Sequence, residues 1–341
     1  MQGRAFRSAG ALTFAVAAGL LTAGGAEAQE RDWTRFRGPD GAGVSNATTI
    51  PVEFAEKDYN WKATLPGAGH SCPVFWRGRI YLTSADPQSG DRYLLCLRQT
   101  DGREVWRKTY KFPNHKKHQF NSFASSTPTV DERGIYITWN SPTEYEVLGF
   151  NHGGTELWKR DLGEYNSQHS GGSSPIVYGE SVIVAKEPDE GESTLLALNR
   201  RTGAIRWQRN RPGKNAVYAT PLLYAPRGEP AQVIFASTLH GVTSVDVKTG
   251  QTVWELTDLF KMRPVASPIL VGELVVVCTG QGGGGRNAEM VAIRPASRAK
   301  GTQAEVAYRP PRGYSYVPTP VAYKDWIFFW GDAGIVACTE A

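Results

Sequence analysis

Ala197-Leu198-Asn199-Arg200-Arg201-Thr202-Gly203-Ala204-Ile205-Arg206-Trp207 is a short apolar run, a polar turn and a second run closed by tryptophan, with Gly203 four residues before Trp207. The same Gly-x-x-x-Trp pair recurs as Gly102/Trp106, Gly154/Trp158 and Gly250/Trp254, and the tryptophans lie 52, 49 and 47 residues apart. A second marker keeps the same phase. A proline preceded by a small or polar residue opens each unit: Cys72-Pro73, Thr127-Pro128, Ser174-Pro175, Thr220-Pro221, Ser267-Pro268 and Thr319-Pro320. Two independent markers at one period define an internal repeat, and a repeat decides the fold before any single residue does.

Each unit is built of short strands. Working outward from Trp207, the third unit reads Ser174-Pro175-Ile176-Val177-Tyr178, Ser181-Val182-Ile183-Val184-Ala185, Thr194-Leu195-Leu196-Ala197-Leu198-Asn199 and Ala204-Ile205-Arg206-Trp207-Gln208, with glycine-containing or polar turns between. No long 3.6-residue periodicity follows residue 30. Four strands per unit of 47–52 residues predict an all-β chain folded as a β-propeller, with about six four-stranded blades across 60–341. One blade cannot bury both faces of its sheet alone, so the recurrent tryptophans are expected as structural wedges between neighbours.

The segments 96–106, 197–207 and 244–254 resemble the A-x-D-x-x-T-G-x-x-x-W repeat of the PQQ-type, quinoprotein-like propellers, a superfamily that includes quinoprotein alcohol dehydrogenases and the BamB outer-membrane assembly factor. The opening Trp33-Thr34-Arg35-Phe36-Arg37-Gly38-Pro39-Asp40-Gly41-Ala42-Gly43-Val44-Ser45 is similar to the start of secreted PQQ-binding-like repeat proteins of planctomycete-type bacteria. The resemblance runs from Trp33 to the end. It is specific for fold and weak for function.

The last units depart from the pattern. The fifth carries Tyr308 where tryptophan is expected, and the sixth reaches Gly334-Ile335-Val336-Ala337-Cys338 without a following Trp strand. Asn60-Trp61-Lys62-Ala63-Thr64-Leu65 reads as an outer strand with no blade before it. Either Trp61 completes the sixth blade and closes a six-bladed ring, or, as the resemblance to proteins of roughly eight blades implies, blades are absent. The second alternative is the expectation.

Residues 1–28 read as a secretory signal peptide: Arg4 and Arg7, the apolar run 11–23, then the small-x-small site Ala26-Glu27-Ala28. The segment 29–59 is expected as an N-terminal extension, and no later run is long enough to span a membrane. Removing 1–28 takes two Arg and one Glu from the 38 basic and 33 acidic residues, leaving 36 against 32 and a net of +4. That balance does not favour a nucleic-acid partner. The four cysteines, Cys72, Cys96, Cys278 and Cys338, are expected as small buried hydrophobes. None has C-x-x-C spacing, so metal binding is a poorer reading.

Chemistry, if any, is expected where loops converge on the channel. The loops entering the first strands bring His70, Asn121, Ser122, His169, Tyr218, Arg263 and Tyr316 to one height, as a ring that either binds a ligand or satisfies backbone groups at the channel mouth. His115-Lys116-Lys117-His118 reads as a solvated connecting loop, and Gly280 to Arg286 as a flexible hairpin without the Gly-Lys-Ser/Thr of a phosphate loop. The Ser-His neighbours at 70/71 and 169/170 are no ready nucleophile–base couples. Relatives that use PQQ typically carry a vicinal Cys pair and Glu, Asn and Asp around Ca²⁺; the chain has no Cys-Cys and no C-x-x-C-H. The reading is therefore an exported, non-catalytic scaffold for a protein or other macromolecule, with no catalytic residue, metal or cofactor assigned. The alternative is a quinoprotein-like dehydrogenase holding PQQ and Ca²⁺ in the channel.

N-terminal sequencing of protein recovered from the periplasm or medium is expected to start near Gln29. Recovery of the intact N-terminus in a membrane fraction would refute export by cleavage.

Overall fold

A computed structural model describes residues 32–282, 288–310, 315–331 and 334–341. The 1–28 leader and most of the Gly280–Arg286 run lie outside them. The described residues form six antiparallel sheets, each a simple up-and-down meander in chain order. The first five (74–110, 129–161, 176–214, 222–256 and 269–308) have four strands, and the sixth, 321–340, has three. The lone helical element is a 3₁₀ turn, Glu56–Asp58, among the described residues. This is the β-propeller that the repeat specifies.

Two-residue alternation explains why the strands read as unbroken apolar runs. In the third sheet Val182, Val184, Leu196 and Leu198 pack against Tyr136, Val147 and Trp158 of the second. Their neighbours Ile183, Ala185, Leu195 and Ala197 pack the other way, against Val233, Phe235 and Val245 of the fourth. An interior sheet is therefore buried on both faces, which needs apolar residues at odd and even positions alike. The same stacking joins the first sheet to the second, the fourth to the fifth and the fifth to the sixth.

The two sequence markers become two relays between sheets. At the periphery each tryptophan lies on the turn glycine of the next sheet: a Cβ on Gly203 would sit 2.6 Å from the Trp158 ring, and one on Gly250 2.6 Å from Trp207. Both glycines have positive φ, so backbone and space alike demand glycine. The indole N–H then donates to the same turn, Trp158 Nε1 to Arg200 O at 3.0 Å and Trp207 Nε1 to Val247 O at 2.9 Å. Each wedge residue faces a bulge in the third strand, as at Ala197/Leu198. Near the channel the N–H preceding each anchor proline donates to the hydroxyl of the next anchor: Cys72 to Thr127, Thr127 to Ser174, Ser174 to Thr220, Thr220 to Ser267 and Ser267 to Thr319, all at 2.9–3.1 Å.

Trp61 obeys the wedge rule and not the closure rule. Residues 61–65 form no strand, and the strand Val336–Glu340 pairs only with Trp326–Trp330 among the described residues. Trp61 instead lies over Gly102, donates to Gln99 O at 2.8 Å and covers Ile80, Leu82, Leu95 and Leu97. The N-terminal loop is woven into the inner strands: Phe75 N donates to Trp33 O at 2.7 Å, and Val130 N to Thr34 O at 2.8 Å. Arg37 reaches across to the carbonyls of Thr319 and Pro320 at 3.3 and 2.7 Å.

Three details differ from the sequence reading. The outer hairpin of the third sheet runs over Glu190–Asn199 and Ile205–Lys214, well beyond its apolar core, because polar residues continue the ladder and Pro212 sits on the outer strand where no donor is needed. Cys96 and Cys278 are buried as expected, but Cys338 is exposed. Cys338 shares the strand position of Cys96 (Phe328↔Cys338 against Tyr81↔Cys96), yet no further sheet covers that face among the described residues.

Trp207→Ala is expected to destabilise the fold by about 3–5 kcal/mol in urea unfolding, since it removes both a buried wedge and the hydrogen bond to Val247. Unchanged unfolding would refute the wedge role.

Candidate functional site at the channel mouth

The loops entering the inner strands stand side by side because the hydroxyl relay fixes their ends. Side chains from four successive loops thereby meet in one row. The His118 and His169 rings lie 4.6 Å apart, His169 meets Tyr218 edge-on at 5.6 Å, and the Arg263 guanidinium lies 5.9 Å from the Tyr218 ring centre. Asn121 Nδ2 donates to the His169 carbonyl, and Asn121 Oδ1 accepts from Ser122 N, so Asn121 braces the row. Arg263 Nη1 donates to the Tyr218 hydroxyl at 3.4 Å, and Ser167 Oγ lies 2.7 Å from the same oxygen.

The other expected residues stand apart. Ser122 is buried and its hydroxyl caps Ala124 N. His70 is exposed; its backbone N–H holds Ala124 O while its ring lies outside the row. Tyr316 covers Gly280, where a Cβ would lie 2.7 Å away, and accepts Ala266 N at its carbonyl. Ser71 and Ser170 bond elsewhere, to Cys72 O and Asn140 Oδ1, so neither is coupled to its adjacent histidine.

The basic run is more than a solvated loop. His118 belongs to the row, His115 packs on Phe123 at 4.7 Å, and Lys117 Nζ lies 5.1 Å from the Phe123 ring centre. Lys116, Lys117 and His118 line a cleft of about 470 Å³ together with Gln119, Ser167 and Gln168. The carboxylate beside it, Asp189, is already engaged: Arg263 at 3.5 Å, Gln168 N at 2.7 Å and Ala216 N at 2.8 Å. The mouth is accordingly cationic and aromatic, suited to stacking and to anions. Burial pushes the Tyr218 hydroxyl up to about 12 and lowers His169, with the charges of His118 and Arg263 adding to the latter. Among the described residues no three His, Cys, Asp or Glu side chains are grouped to hold a metal ion, and no helix is long and apolar enough to cross a membrane.

A family model described as "Outer membrane protein assembly factor BamB" matches residues 39–299. Among solved structures the chain is similar to BamB from Moraxella catarrhalis, at 16% identity and TM-score 0.56, over 83% of this chain and 75% of that one. It is also similar to the quinohemoprotein alcohol dehydrogenase ADHIIG from Pseudomonas putida HK5, at 12% identity and TM-score 0.53, over 79% of this chain and 57% of that one. The quinohemoprotein alcohol dehydrogenase from Comamonas testosteroni matches at 10% identity and TM-score 0.53, over 86% and 52%. The chain thus spans little more than half the length of either dehydrogenase, and at these identities the likeness is one of fold. No curated protein sequence matches.

The lowered pKa of His169 has a defined sign. The neutral ring is favoured in the folded state, so its contribution to stability is present above the ordinary value of about 6.5 and is lost as the pH falls below it, toward the depressed folded value. An NMR titration is expected to place the His169 midpoint below 6.5, and His118→Gln to move it up by removing a neighbouring charge. A midpoint unmoved by that substitution would show that the two rings do not interact.

Proposed function

Because this chain belongs to the family described as outer membrane protein assembly factor BamB, we propose that it is an exported, non-catalytic propeller that binds an extracytoplasmic protein. One observation carries this reading. In the first five sheets a fourth strand places an aromatic opposite the third-strand bulge: Cys96↔Trp106, Gly149↔Trp158, Ala197↔Trp207, Ser244↔Trp254 and Ala292↔Tyr308. The sixth sheet has three strands and leaves Cys338 facing that empty lane. Beside it Trp326, Phe328, Trp330 and Val336 share one face and are 41–60% exposed. Aromatics of this size carry roughly 150–250 Å² each when fully open, and apolar patches of a few hundred Å² mark interaction sites. The partner supported by this geometry offers an extended strand to Val336–Glu340, with an aromatic at the position opposite Cys338, as in the other five sheets.

The mouth favours a second reading, a quinoprotein-like dehydrogenase. A flat anionic quinone such as PQQ would suit the His118–His169–Tyr218 row with Arg263 and the two lysines. Ca²⁺ fits less well, because Asp189 is held by Arg263 and two backbone N–H groups and hard cations need several free oxygen ligands.

Cross-linking from Cys338 in the intact periplasm is expected to give one discrete adduct with a different protein, lost in Trp330→Lys. PQQ with Ca²⁺ is expected to cause no thermal shift and no dye-linked alcohol oxidation. A self-adduct in place of the hetero-adduct, or saturable PQQ binding with turnover, would overturn the scaffold reading.

A further inference from the structure

Arg35 is 5% exposed, and its guanidinium is placed under Gly41 of the N-terminal loop. Its one hydrogen bond runs from Nε to Pro39 O at 3.2 Å, and Nη2 has no partner among the described residues. The other buried arginines are compensated. Arg200 binds Asp131, Glu132 and Glu180 at 2.6–3.0 Å, and Arg211 binds Glu187 at 2.8 Å. Arg92 sits over Phe112 and Phe123, and Arg37 spends its N–H groups on four carbonyls. No carboxylate comes within ion-pair distance of Arg35; Asp40 acts on it only from farther away and turns back to Ala42 N. Burial lowers the Arg35 pKa to about 10, which still leaves the group charged at neutral pH. A buried, charged and unpaired guanidinium is costly, and water can solvate it without neutralising it.

A cavity of about 360 Å³ adjoins it at the opposite end of the inner strands from the mouth, where the loop crosses sheets one to three. Trp76, Val130, Val177 and Pro39 give it apolar walls, and Asp131, Glu132 and Arg200 form its far side. The loop carbonyls of Trp33 and Thr34 satisfy the N–H groups of Phe75 and Val130, two residues after their anchor prolines. No loop carbonyl meets the corresponding N–H of Val177, which lines the cavity. One charged donor and one backbone donor thus flank a space of apolar character.

We infer that this cavity is a binding site for a small carboxylate with a flat apolar body, its carboxylate on Arg35 and its body against Trp76, Val130 and Val177. Asp131 and Glu132 stand on the far wall, so a single negative charge is accommodated and a dianion is repelled. The site is separate from the mouth and from the open face of the sixth sheet.

The test is titration of the full mature chain with benzoate, acetate and inorganic phosphate, read by thermal shift and tryptophan fluorescence. Benzoate is expected to stabilise the protein saturably and to perturb Trp76 emission, acetate to act more weakly, and phosphate to have no effect. Arg35→Met is expected to weaken benzoate binding about tenfold to a hundredfold, the loss of a charge-assisted pair. Val177→Phe, which fills the cavity and leaves Arg35 in place, is expected to abolish binding, and it decides the matter if Arg35→Met does not fold. A flat benzoate titration, an equal response in either variant, or stabilisation by phosphate alone would overturn the proposal.

Discussion

The hydrogen bond from the N–H before each anchor proline to the hydroxyl of the next anchor is the constraint on which the rest of the molecule depends. It fixes the height and rotation of each inner strand relative to its neighbour. It needs a short hydroxyl at that position, hence Thr127, Ser174, Thr220, Ser267 and Thr319. The proline that follows has no N–H to leave unpaired beside the channel, and it biases the anchor toward extended backbone. Cys72 departs from the pattern at the one anchor whose side chain receives no N–H from an earlier anchor among the described residues. There a thiol, a weak acceptor, costs nothing.

The tryptophan relay repeats this logic at larger radius and in the same direction: each sheet supplies the wedge and the next supplies the glycine. One such hydrogen bond contributes only about 0.5–1.5 kcal/mol. Stacked faces supply most of the stability, and the relays select one register among the many that apolar burial alone would tolerate. The wedge pattern weakens at the fifth sheet. A Cβ on Gly301 would meet nothing, and Trp254 Nε1 turns back to Gln232 of its own sheet. The longer turn of the fifth sheet thus gives up the hydrogen-bonded half of the wedge, although Trp254 still packs on Val275 and Val277.

This difference explains what was legible in the sequence. Anchor, glycine and tryptophan sit at fixed spacing because each acts on an identical neighbour, so the repeat announces the fold, the sheet order and the wedge roles. The functional surfaces carry no such period. His118, His169, Tyr218 and Arg263 each come from a different loop and meet only because the relay aligns those loops; spacing placed three of them at the mouth. His118 was hidden inside a basic run whose charge suggested solvent, and its ring packing is visible only in three dimensions. Arg35 was hidden in a motif informative for family. Arg35 and Arg37 are two residues apart and look interchangeable, yet one meets four carbonyls and the other meets a cavity.

The N-terminal loop shows how a propeller can give its two channel ends different chemistry with one set of strands. Inner strands present unpaired N–H groups toward the axis. At the mouth the relay and the entering loops are anchored by Ser and Thr hydroxyls, and the remaining side chains are free to form a cationic, aromatic row. At the other end the loop supplies carbonyls to Phe75 and Val130 and stops short of Val177. Filling two positions and leaving the third open turns a structural plug into one wall of a cavity. The loop thereby brings a buried positive charge to an end of the channel whose turns, through Asp131, Glu132 and Glu180, are otherwise acidic. Arg200 already neutralises those carboxylates, so they are not free to serve Arg35, and that division of partners is what leaves one guanidinium with an anion still to find.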